Sequence, residues 1–393
     1  MNKQKIVASM LVVGGLVSPL AYATNGDEMM AVGSQNTALG GTGVANFVGA
    51  DSTWANPAML GKSKGAEVTG GVNLFKPEVD NNGMAGGAFG DSTADTSYIP
   101  DVSYSNRIND NLTYGVAMAG IAGMGVDYTG AGASLQLAKA KSALSILRVV
   151  ADIAYNKDNY GVGFAPIFQS GNLMLSYDTG GGPFSNKGQN KSSSTGFGYA
   201  FGGYYNATNA VTVAAAYQSK IAAKYGTQIS DAGNGFGQTF GDNLDQPAQI
   251  KLGVAFAVAE SLTLTADYKQ IQWGSAAGYK DFGWQNQNIL SVGAKYSASG
   301  YWLGLGYNHA NDPIGVVSNT AVNLFNNMFF PAIVTNSYTF GGGYDISNAL
   351  AVESAAVYTP KVTKTVPTTG FGAGTNTTTH TQKALEVSLR YKF

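Results

Sequence analysis

The chain has 393 residues, a formal net charge of −1, no cysteine and 12% charged residues, against roughly 25% in soluble domains. The near-neutral charge argues against a nucleic-acid partner, and the absence of cysteine excludes disulfides and thiolate metal sites. Low charge, 53 glycines and 22 tyrosines favour a surface that faces lipid, although a soluble β-helix or adhesin would share the glycine content.

The first predicted element is a cleavable export signal over residues 1–23. Lys3 and Lys5 precede a mostly apolar run, and small residues follow at Ala21-Tyr22-Ala23. This order is typical of a secretory signal, and the apolar run is short for the alternative, an anchoring helix. We therefore expect the mature chain to begin at Thr24. No later segment approaches the ~20 consecutive apolar residues that a membrane helix requires.

Residues 24–65 lack any strand pattern. The stretch GADSTWANPAMLGKSKG, from Gly49 to Gly65, contains one Trp and the step Asn56-Pro57-Ala58. Its richness in Gly, Ala, Asn and Pro favours compact turns over an independent core. This segment is therefore predicted to pack against another part of the protein.

From residue 66 to residue 393, apolar and polar residues alternate with a period of two, which is typical of strands. The C-terminal ALEVSLRYKF shows the pattern most clearly, with Leu385, Val387 and Leu389 on one face and Glu386, Ser388 and Arg390 on the other. The predicted strands cover residues 66–76, 100–108, 112–122, 142–155, 159–177, 193–206, 210–225, 247–257, 261–273, 287–297, 300–309, 335–345, 349–359 and 382–393.

The links between these strands alternate strictly between short and long. Residues 109–111 and 156–158 are short links, whereas 77–99 and 310–334 are long ones. Such alternation is typical of an up-and-down transmembrane β-barrel, with tight periplasmic turns and long external loops. We therefore predict an all-β barrel of about fourteen antiparallel strands over residues 66–393, in the outer membrane of a Gram-negative bacterium.

A barrel of this size encloses a lumen that is too wide for side chains alone to fill. Residues 24–65 precede the first strand on the periplasmic side and have a suitable length to fold inward. We therefore predict that they form a hatch that plugs the lumen. The alternative is an ordinary loop lying below the barrel.

The sequence resembles a known family of outer-membrane proteins. SQNTALGGTGVANFVGADSTWANPAML is similar to the N-terminal hatch of the FadL family, which transports long-chain fatty acids and other hydrophobic compounds. DNLTYGVAM is similar to the third strand of that family, and GYWLGLGYNHANDPI to a later strand and its loop. The resemblance spans most of the mature chain and implies the same barrel, hatch and transport of hydrophobic compounds.

The resemblance also implies a gate. In the family, the Asn-Pro-Ala step of the hatch lies near a kink in the third strand that leaves a lateral opening. Carried over, Asn56, Pro57 and Ala58 would hold this position, and the kink would fall between Gly115 and Gly125. The glycines that make a bend there inexpensive are Gly115, Gly120, Gly123 and Gly125. Alternatively, these glycines only relieve crowding in the wall.

The substrate is less sharply defined. Family members that take fatty acids are expected to present cations to the carboxylate, yet the matching places here hold Gln169 or Ser170 and Gln285 or Asn286. Parity places other cations in the lumen, with Asp152 and Asp267 as candidate partners: Arg148, Lys220, Lys251, Lys269 and Lys295. We predict substrate contacts at Arg148, Gln169 and Lys269 and favour a long-chain fatty acid. A neutral aromatic hydrocarbon is the alternative.

Two external segments are candidates for substrate capture, because residues 178–192 are shorter and more polar than the groove-forming loop that the resemblance implies. Residues 133–147 can form an amphipathic helix. NLFNNMFFPAIV, residues 323–334, is unusually apolar and carries Met328 and the predicted substrate contacts Phe325, Phe329 and Phe330. Exposed apolar patches often bind ligands or membrane, although simple loop packing is equally compatible with this composition.

No enzyme motif occurs in a fitting context. The two histidines are His309, predicted on the lipid side, and His380, predicted in a Thr-rich loop, and neither can complete a triad. We expect no cofactor and no metal, a hydrophobic small molecule and membrane lipid as partners, and a monomer. A general porin and an adhesin or phage receptor are the rival functions; a porin would need an open, charged lumen.

Overall fold

The computed structural model describes residues 24–84, 86–130, 138–178, 191–370 and 374–393. The predicted signal lies outside these ranges, as do most of the loop 178–192 and residues 133–137 of the predicted amphipathic helix. Fourteen long strands carry most of the described chain: β1 Glu67–Asn81, β2 Ser97–Arg107, β3 Leu112–Asp127, β4 Lys141–Lys157, β5 Tyr160–Ser176, β6 Ser192–Asn206, β7 Val211–Gln218, β8 Gln249–Ala259, β9 Leu262–Ile271, β10 Gln287–Ala298, β11 Tyr301–Ala310, β12 Asn336–Asp345, β13 Leu350–Pro367 and β14 Thr375–Lys392.

The strands form a closed antiparallel barrel, which confirms the predicted fold class. Each strand pairs with the next along the chain, and β14 pairs with β1 from Thr378↔Asn81 to Lys392↔Glu67. Because every strand has a neighbour on both sides, the backbone groups of these ladders are paired without water. The two-residue strands Thr24–Asn25, Glu28–Met29 and Gly90–Asp91 are additions to this ring.

Side chains of the wall alternate between two environments. On β6, Phe197, Tyr199 and Phe201 are exposed on the outer face, as are large apolar side chains of most other strands. Inward positions hold buried polar and charged groups, such as Glu386 and Arg390 on β14. An apolar exterior and a polar interior suit a barrel in lipid.

The hairpin of β13 and β14 extends further than the sequence predicted. Residues 360–381 were predicted as a loop, but β13 runs to Pro367 and β14 begins at Thr375. β-branched threonines favour strand geometry, and Thr365 Oγ1 lies 2.9 Å from Thr377 Oγ1 across the pair. The prediction that His380 lies in a loop is therefore wrong.

Short helices occupy the N-terminal segment and the external loops. They are α1 Ser34–Ala38, α2 Ser52–Ala55, α3 Gln228–Asn234 and α4 Thr320–Phe329, with 3₁₀ turns at Pro57–Lys62, Trp273–Ser275 and Lys280–Phe282. The predicted amphipathic helix is wrong over residues 141–147, which belong to β4. No helix among the described residues is long and apolar enough to cross a membrane.

The wall is interrupted between β2 and β3. Their ladder ends at the pair Asp101↔Ala119, and β3 shifts register against β4 between Gly120 and Ala122. Above this point, β3 is linked to the preceding loop by the amide of Thr93, which donates to Asp127 O at 2.8 Å. We call the interval from Gly120 to Val126 the wall gap. It lies within and just beyond the range in which the sequence predicted a bend.

Candidate functional site: a cavity between the N-terminal segment and the wall

The N-terminal segment, residues 24–65, contacts inward-facing side chains on opposite sides of the ring. On one side, Gln35 Nε2 donates to Glu353 Oε1 at 2.7 Å, and Thr37 Oγ1 donates to Glu386 Oε2 at 2.8 Å. On another side, the amides of Gly43 and Val44 donate to Asp267 Oδ2 of β9 at 2.7 and 2.9 Å. Both contacts are buried, so the segment and the wall share a polar interface.

Asp152 and Asp267, the predicted partners of lumen cations, serve this interface instead. Asp152 Oδ2 accepts a hydrogen bond from Thr53 Oγ1 at 2.7 Å, and Asp267 accepts from the two backbone amides of the segment. Within the described residues, neither carboxylate forms an ion pair with a lysine or arginine. The period-two alternation in the sequence predicted that both side chains point into the lumen, but it did not predict their hydrogen-bond partners.

Arg390 of β14 binds the N-terminal segment at the place where the last strand, β14, pairs with the first strand, β1. Its guanidinium is within 3.4 Å of Asp51 Oδ2 in the segment and 2.9 Å of Glu353 Oε2 on β13, and it also contacts Glu67 at the start of β1. Gln35 donates to the same Glu353 carboxylate. One buried cation therefore serves three carboxylates from three parts of the chain.

Asn56, Pro57 and Ala58 are buried, but the prediction that they lie at the bent part of β3 is wrong. Asn56 Nδ2 donates to Val44 O at 2.8 Å and to Gly203 O of β6 at 3.3 Å, and its Oδ1 accepts from the Ala58 amide at 3.0 Å. A Cβ at Gly202 of β6 would overlap Asn56, and a Cβ at Gly163 of β5 would overlap the Ala58 nitrogen, so these two glycines allow the close approach. The step is thus seated on β5 and β6.

A different part of the segment lies at the wall gap. Thr24–Asn25 and Glu28–Met29 pair as a small hairpin, which we call the N-terminal hairpin. Glu28 pairs with Ala122, and the Gly123 amide donates to Asp27 O at 2.8 Å. The hairpin therefore continues the β3 ladder on the side that β2 leaves.

The four glycines predicted for the lateral opening have different environments. Gly120 borders the register shift and Gly123 bonds to the N-terminal hairpin, so both belong to the wall gap. Gly115 is in regular pairing below the gap, and a Cβ there would lie 2.6 Å from Leu60 Cδ1. Gly125 also lies in the wall gap, but on its β4 side it pairs regularly with Ala143.

The N-terminal hairpin also contacts the external loops. The Asp27 carboxylate accepts hydrogen bonds from Tyr279 Oη and from Gln246 Nε2, the latter at 3.3 Å. Gly26 lies against the Trp273 ring so closely that a Cβ would be 2.6 Å from Cζ2. Burial away from water raises the pKa of Asp27 from its ordinary value of 3.8 to about 7.

Between the hairpin, the rest of the segment and the wall lies a cavity of about 80 Å³, the lumen cavity. Its apolar surface includes Met29, Met30, Val44, Trp54 and Ile121. Its charged surface is formed by three cations and two carboxylates: Arg148, Lys251, Lys269, Glu28 and Asp267. A cavity with an apolar side and a net positive charge suits an amphipathic anion.

The cations of the lumen cavity differ in the hydrogen bonds and ion pairs that they form. Arg148 Nε donates to Gln169 Oε1 at 3.0 Å, and its Nη2 lies 3.5 Å from Glu28 Oε1. Lys251 Nζ donates to the carbonyl of Trp54 at 3.2 Å. Within the described residues, no hydrogen bond or ion pair reaches the ammonium of Lys269, which lies opposite Lys251 in the β8–β9 ladder.

The structure brings together some of the predicted substrate contacts. Lys269 and Arg148 line the lumen cavity, and Gln169 lies behind it as a partner of Arg148. The other lumen cations lie elsewhere: Lys220 pairs with Asp245 at 2.9 Å beyond the end of β7, and Lys295 is near the periplasmic end. Gln285 and Asn286 are exposed and do not line the cavity.

The three phenylalanines predicted in an exposed capture loop are buried. Phe325 and Phe329 lie on α4, Phe330 ends it, and all three are at most 1% exposed. Phe325 packs against Phe282 and Phe236 of neighbouring external loops, with ring centroids 5.2 and 5.6 Å apart. Three loops bury one another's aromatic side chains, so of the two alternatives left open by the sequence, loop packing holds and an exposed capture patch does not.

Sequence reasoning missed Asp27, Glu28 and Trp54 as site residues. Trp54 lies inside the predicted hatch, and Asp27-Glu28 is an acidic pair in a segment otherwise poor in charge. A buried carboxylate needs a partner, so this pair was a signal for cations in the wall. Among the described residues, no three His, Asp or Glu side chains are grouped as metal ligands.

Comparisons with known proteins agree with this architecture. A family model described as "Outer membrane protein transport protein (OMPP1/FadL/TodX)" matches residues 17–393. The structure is similar to a Pseudomonas aeruginosa FadL homologue, with a TM-score of 0.73, 15% identity and coverage of 94% of this chain and 100% of that chain. It is also similar to the P. putida toluene transporter TodX, with a TM-score of 0.70, 19% identity and coverage of 93% and 99%.

Two further relatives extend the comparison. The Ralstonia pickettii toluene transporter TbuX matches with a TM-score of 0.66, 18% identity and coverage of 93% of this chain and 99% of that chain. A Chlorobium limicola chain, described as an uncharacterized protein in the phosphoenolpyruvate carboxykinase gene 5'region, is 34% identical over 96 residues. That match covers 23% of this chain and 45% of the relative, so the chain spans about half the length of this curated relative.

Proposed function

The chain belongs to the OMPP1/FadL/TodX family of outer membrane transport proteins, and we propose that its substrates are hydrophobic monocarboxylic acids of the long-chain fatty acid type. As a member of this family it is a transporter of hydrophobic compounds in the outer membrane of a Gram-negative bacterium, and it is not an enzyme. The choice of substrate rests on the lumen cavity.

The single observation that carries the proposal is the Lys269 ammonium in the lumen cavity, which no hydrogen bond or ion pair reaches among the described residues. Arg148 is paired with Glu28 and Lys251 donates to a backbone carbonyl, whereas Lys269 interacts with the carboxylates of Glu28 and Asp267 only through space. An enclosed cation without a counter-ion in contact attracts an anion more strongly than it would in water. A carboxylate between Lys251 and Lys269 would supply that counter-ion.

The remaining surface of the lumen cavity suits the hydrocarbon tail. Met29, Met30, Ile121 and Trp54 contribute apolar surface to the same cavity as the cations. Methionine side chains adapt to irregular ligands, and an indole ring provides a large apolar face. The cavity thus offers cations to a carboxylate and apolar side chains to the hydrocarbon next to it.

The same contacts support the N-terminal segment as a plug. Its hydrogen bonds to β4, β9, β13 and β14 attach it to opposite sides of the ring, so an open pore for hydrophilic solutes is less consistent with these contacts. Of the N-terminal segment, the N-terminal hairpin is the part that pairs with β3 at the wall gap among the described residues. We therefore place the lateral exit at that gap, with movement of the hairpin as the opening step.

A second candidate substrate is a compact neutral hydrocarbon. The lumen cavity of about 80 Å³ is small, and the indole of Trp54 borders it. The similar TodX and TbuX structures are described as toluene transporters. In this case Lys269 would have no role in uptake, which gives a direct way to separate the two substrates.

The test compares uptake of radiolabelled oleate and toluene by cells that carry the wild-type chain, Lys269→Met or Lys269→Arg and lack other channels of this family. Loss of an ion pair to a carboxylate is expected to lower oleate uptake about tenfold or more in Lys269→Met, with toluene uptake unchanged and Lys269→Arg close to wild type. Unchanged oleate uptake in Lys269→Met, at equal amounts of folded barrel, would contradict the fatty-acid proposal.

The plug is tested by deleting residues 24–60 and recording conductance in planar bilayers. The deletion variant should show a large, persistent conductance, because the contacts that attach the segment to the wall are gone. Heat-modifiable mobility on a gel verifies that the variant barrel is folded. A folded deletion variant with wild-type conductance would show that the segment does not plug the lumen.

A further inference from the structure

We propose that Trp54 determines how long a hydrocarbon tail the lumen cavity accepts, because its indole ring separates this cavity from a second space with apolar walls. The second space is a cavity of about 20 Å³ between the N-terminal segment and strands β4 to β8, which we call the side cavity. The inference rests on the proposed function in that the ligand enters the lumen cavity. It concerns the tail of that ligand, whereas Lys269 concerns its head.

The two cavities share part of their lining. Trp54 carries the one aromatic ring among the shared residues, and it packs against two separate apolar clusters. One cluster contains Ile121, and the other contains Val150 and Ile167. The indole therefore lies between the apolar side chains of the two cavities. Five residues line both of them: Trp54, Ala55, Arg148, Gln218 and Lys251.

The lumen cavity by itself is too small for a long tail. Its volume is about 80 Å³, whereas pockets for small organic ligands enclose roughly 300–1,000 Å³. A carboxylate at Lys269 would leave room for only the first part of the hydrocarbon chain. The remaining methylene groups need further apolar space, and the side cavity is adjacent.

The side cavity is suited to methylene groups. Its polar neighbours already have partners: Thr53 Oγ1 donates to Asp152 Oδ2 at 2.7 Å, and Lys251 Nζ donates to Trp54 O at 3.2 Å. A tail that enters would leave these hydrogen bonds in place and would remove its own apolar surface from water. The wall contributes small and branched apolar side chains: Val150, Ile167, Ala200 and Ala216.

The backbone on both sides of Trp54 is fixed, whereas one hydrogen bond holds the ring among the described residues. Thr53 bonds to Asp152, and Asn56 bonds to the carbonyls of Val44 and Gly203. The indole Nε1 donates to Ser103 Oγ of β2 at 3.2 Å, and Trp54 is only partly buried. A tail can therefore displace the ring without releasing the N-terminal segment, at the cost of this bond and of the packing of the ring.

The affinity for a hydrophobic acid should therefore depend on chain length in two ranges. Each methylene group that becomes buried in the lumen cavity raises the affinity about fourfold. Once the tail reaches the indole, a further methylene group gains nothing unless the ring moves, so the affinity of the wild type should level off. Without the indole the two cavities join, and the affinity should continue to rise with chain length.

The experiment is equilibrium dialysis of radiolabelled acids, from octanoate to hexadecanoate, against the full chain held in amphipol, with protein-free amphipol as background. Trp54→Ala should bind hexadecanoate at least about tenfold more tightly, relative to octanoate, than the wild type does. Trp54→Phe, which keeps a smaller ring, should show a smaller change in the same direction. Trp54→Ala/Ala216→Leu should return towards the wild-type profile, because the longer side chain refills the side cavity from the wall.

Phe47→Ala is the matched control. It removes an aromatic side chain from the same segment, and Phe47 is half-buried and lines neither cavity. Its chain-length profile should match that of the wild type. If Trp54→Ala weakens binding equally at every chain length, or leaves the profile unchanged, Trp54 only packs the segment and the proposal is overturned. Heat-modifiable mobility verifies folding of each variant.

A parallel series of alcohols, from octanol to hexadecanol, separates this proposal from that for Lys269. The alcohols have the same tails without the carboxylate, so Trp54→Ala should change their profile in the same way. If it does, and Lys269→Met leaves the binding of acids unchanged, the role of Trp54 stands and the fatty-acid role of Lys269 fails. If Lys269→Met weakens the binding of acids and Trp54→Ala changes neither profile, the role of Lys269 stands and that of Trp54 fails.

Discussion

The backbone amide of Gly123, in the wall, donates a hydrogen bond to the carbonyl oxygen of Asp27, in the N-terminal segment, at 2.8 Å. This bond lies where β3 has lost its neighbour β2, since their ladder ends at Asp101↔Ala119. A backbone donor facing lipid without a partner would be costly, so the wall needs the N-terminal hairpin while it is closed.

Substitution of Gly26 by Val should release the hairpin from the external loops. Gly26 has φ +70°, and a Cβ there would lie 2.6 Å from Trp273 Cζ2. We expect faster hydrogen exchange in the peptide that contains Gly123, measured by mass spectrometry. Gly300→Val is the matched control, because Gly300 has φ +81° with nothing within 4 Å of its Cβ position. If the peptide that contains Gly123 were equally protected from hydrogen exchange in both variants, the contact of Gly26 with the external loops would not hold the hairpin at the wall gap.

The seating of the hairpin should weaken as pH rises from about 4 to about 7. The pKa of Asp27 is about 7 when buried and 3.8 ordinarily, so the seated hairpin retains a proton that the released hairpin loses. Burial is the main cause of the raised pKa of Asp27, and the negative charge of Glu28 also raises it. The hydrogen bonds from Tyr279 and Gln246 and the positive charge of Arg148 lower it by less. Seating is therefore strongest below the lower pKa, declines between the two values and is constant above about 7.

The measurement for Asp27 is open-state conductance in planar bilayers between about pH 5 and pH 8. Conductance events should become more frequent up to about pH 7 in the wild type and should not change in Asp27→Asn, which keeps the shape and an acceptor for Tyr279. A pH profile that is identical in the two proteins would assign the titration to another group.

Two adjacent glycines on β6 allow a sharp test of where the Asn56-Pro57-Ala58 step sits. A Cβ at Gly202 would overlap the Asn56 side chain and approach Pro57 Cδ to 3.1 Å, whereas a Cβ at Gly203 would have only Gly161 O at 3.7 Å. Gly202→Ala should therefore increase proteolysis of residues 24–65 by added protease, and Gly203→Ala should not. Similar cleavage of the two variants would argue against close contact with β6.

Replacement of Arg390 by Met should destabilise the closed barrel by about 3–5 kcal/mol, because the buried carboxylates of Asp51, Glu67 and Glu353 would lose their shared cation. The temperature at which the heat-modifiable band shift occurs should fall. Lys361→Met is the control, since Lys361 is exposed and lies 3.7 Å from Asp80. An unchanged transition in Arg390→Met would mean that the carboxylates adapt without the cation.

The barrel could be predicted from the sequence because its signal is local. Alternation of period two and the short-long sequence of links place all fourteen strands, and the errors, such as residues 360–381, concern where a strand ends. Thr-rich stretches such as the start of β14 are compatible with both loop and strand, and pairing decides between them.

The site was less predictable because its contacts join distant residues. The alternation of inward and outward side chains placed Arg148 and Lys269 in the lumen. Whether Arg148 has an ion-pair partner, however, depends on Glu28, which lies 120 residues away in the sequence. The sequence could not decide between an exposed and a packed run around Phe325, because its partners, Phe236 and Phe282, belong to other loops. No period or spacing in the sequence links such loops.

The charges around Arg390 also have a consequence for biogenesis. Its carboxylate partners come from the first strand, the thirteenth strand and the N-terminal segment, while Arg390 itself is on the last strand. Glu67 and Glu353 can share the cation only when the first strand has paired with the last, so the full charge cluster forms at the step that closes the ring. Closure of the wall and attachment of Asp51 thus depend on the same side chain.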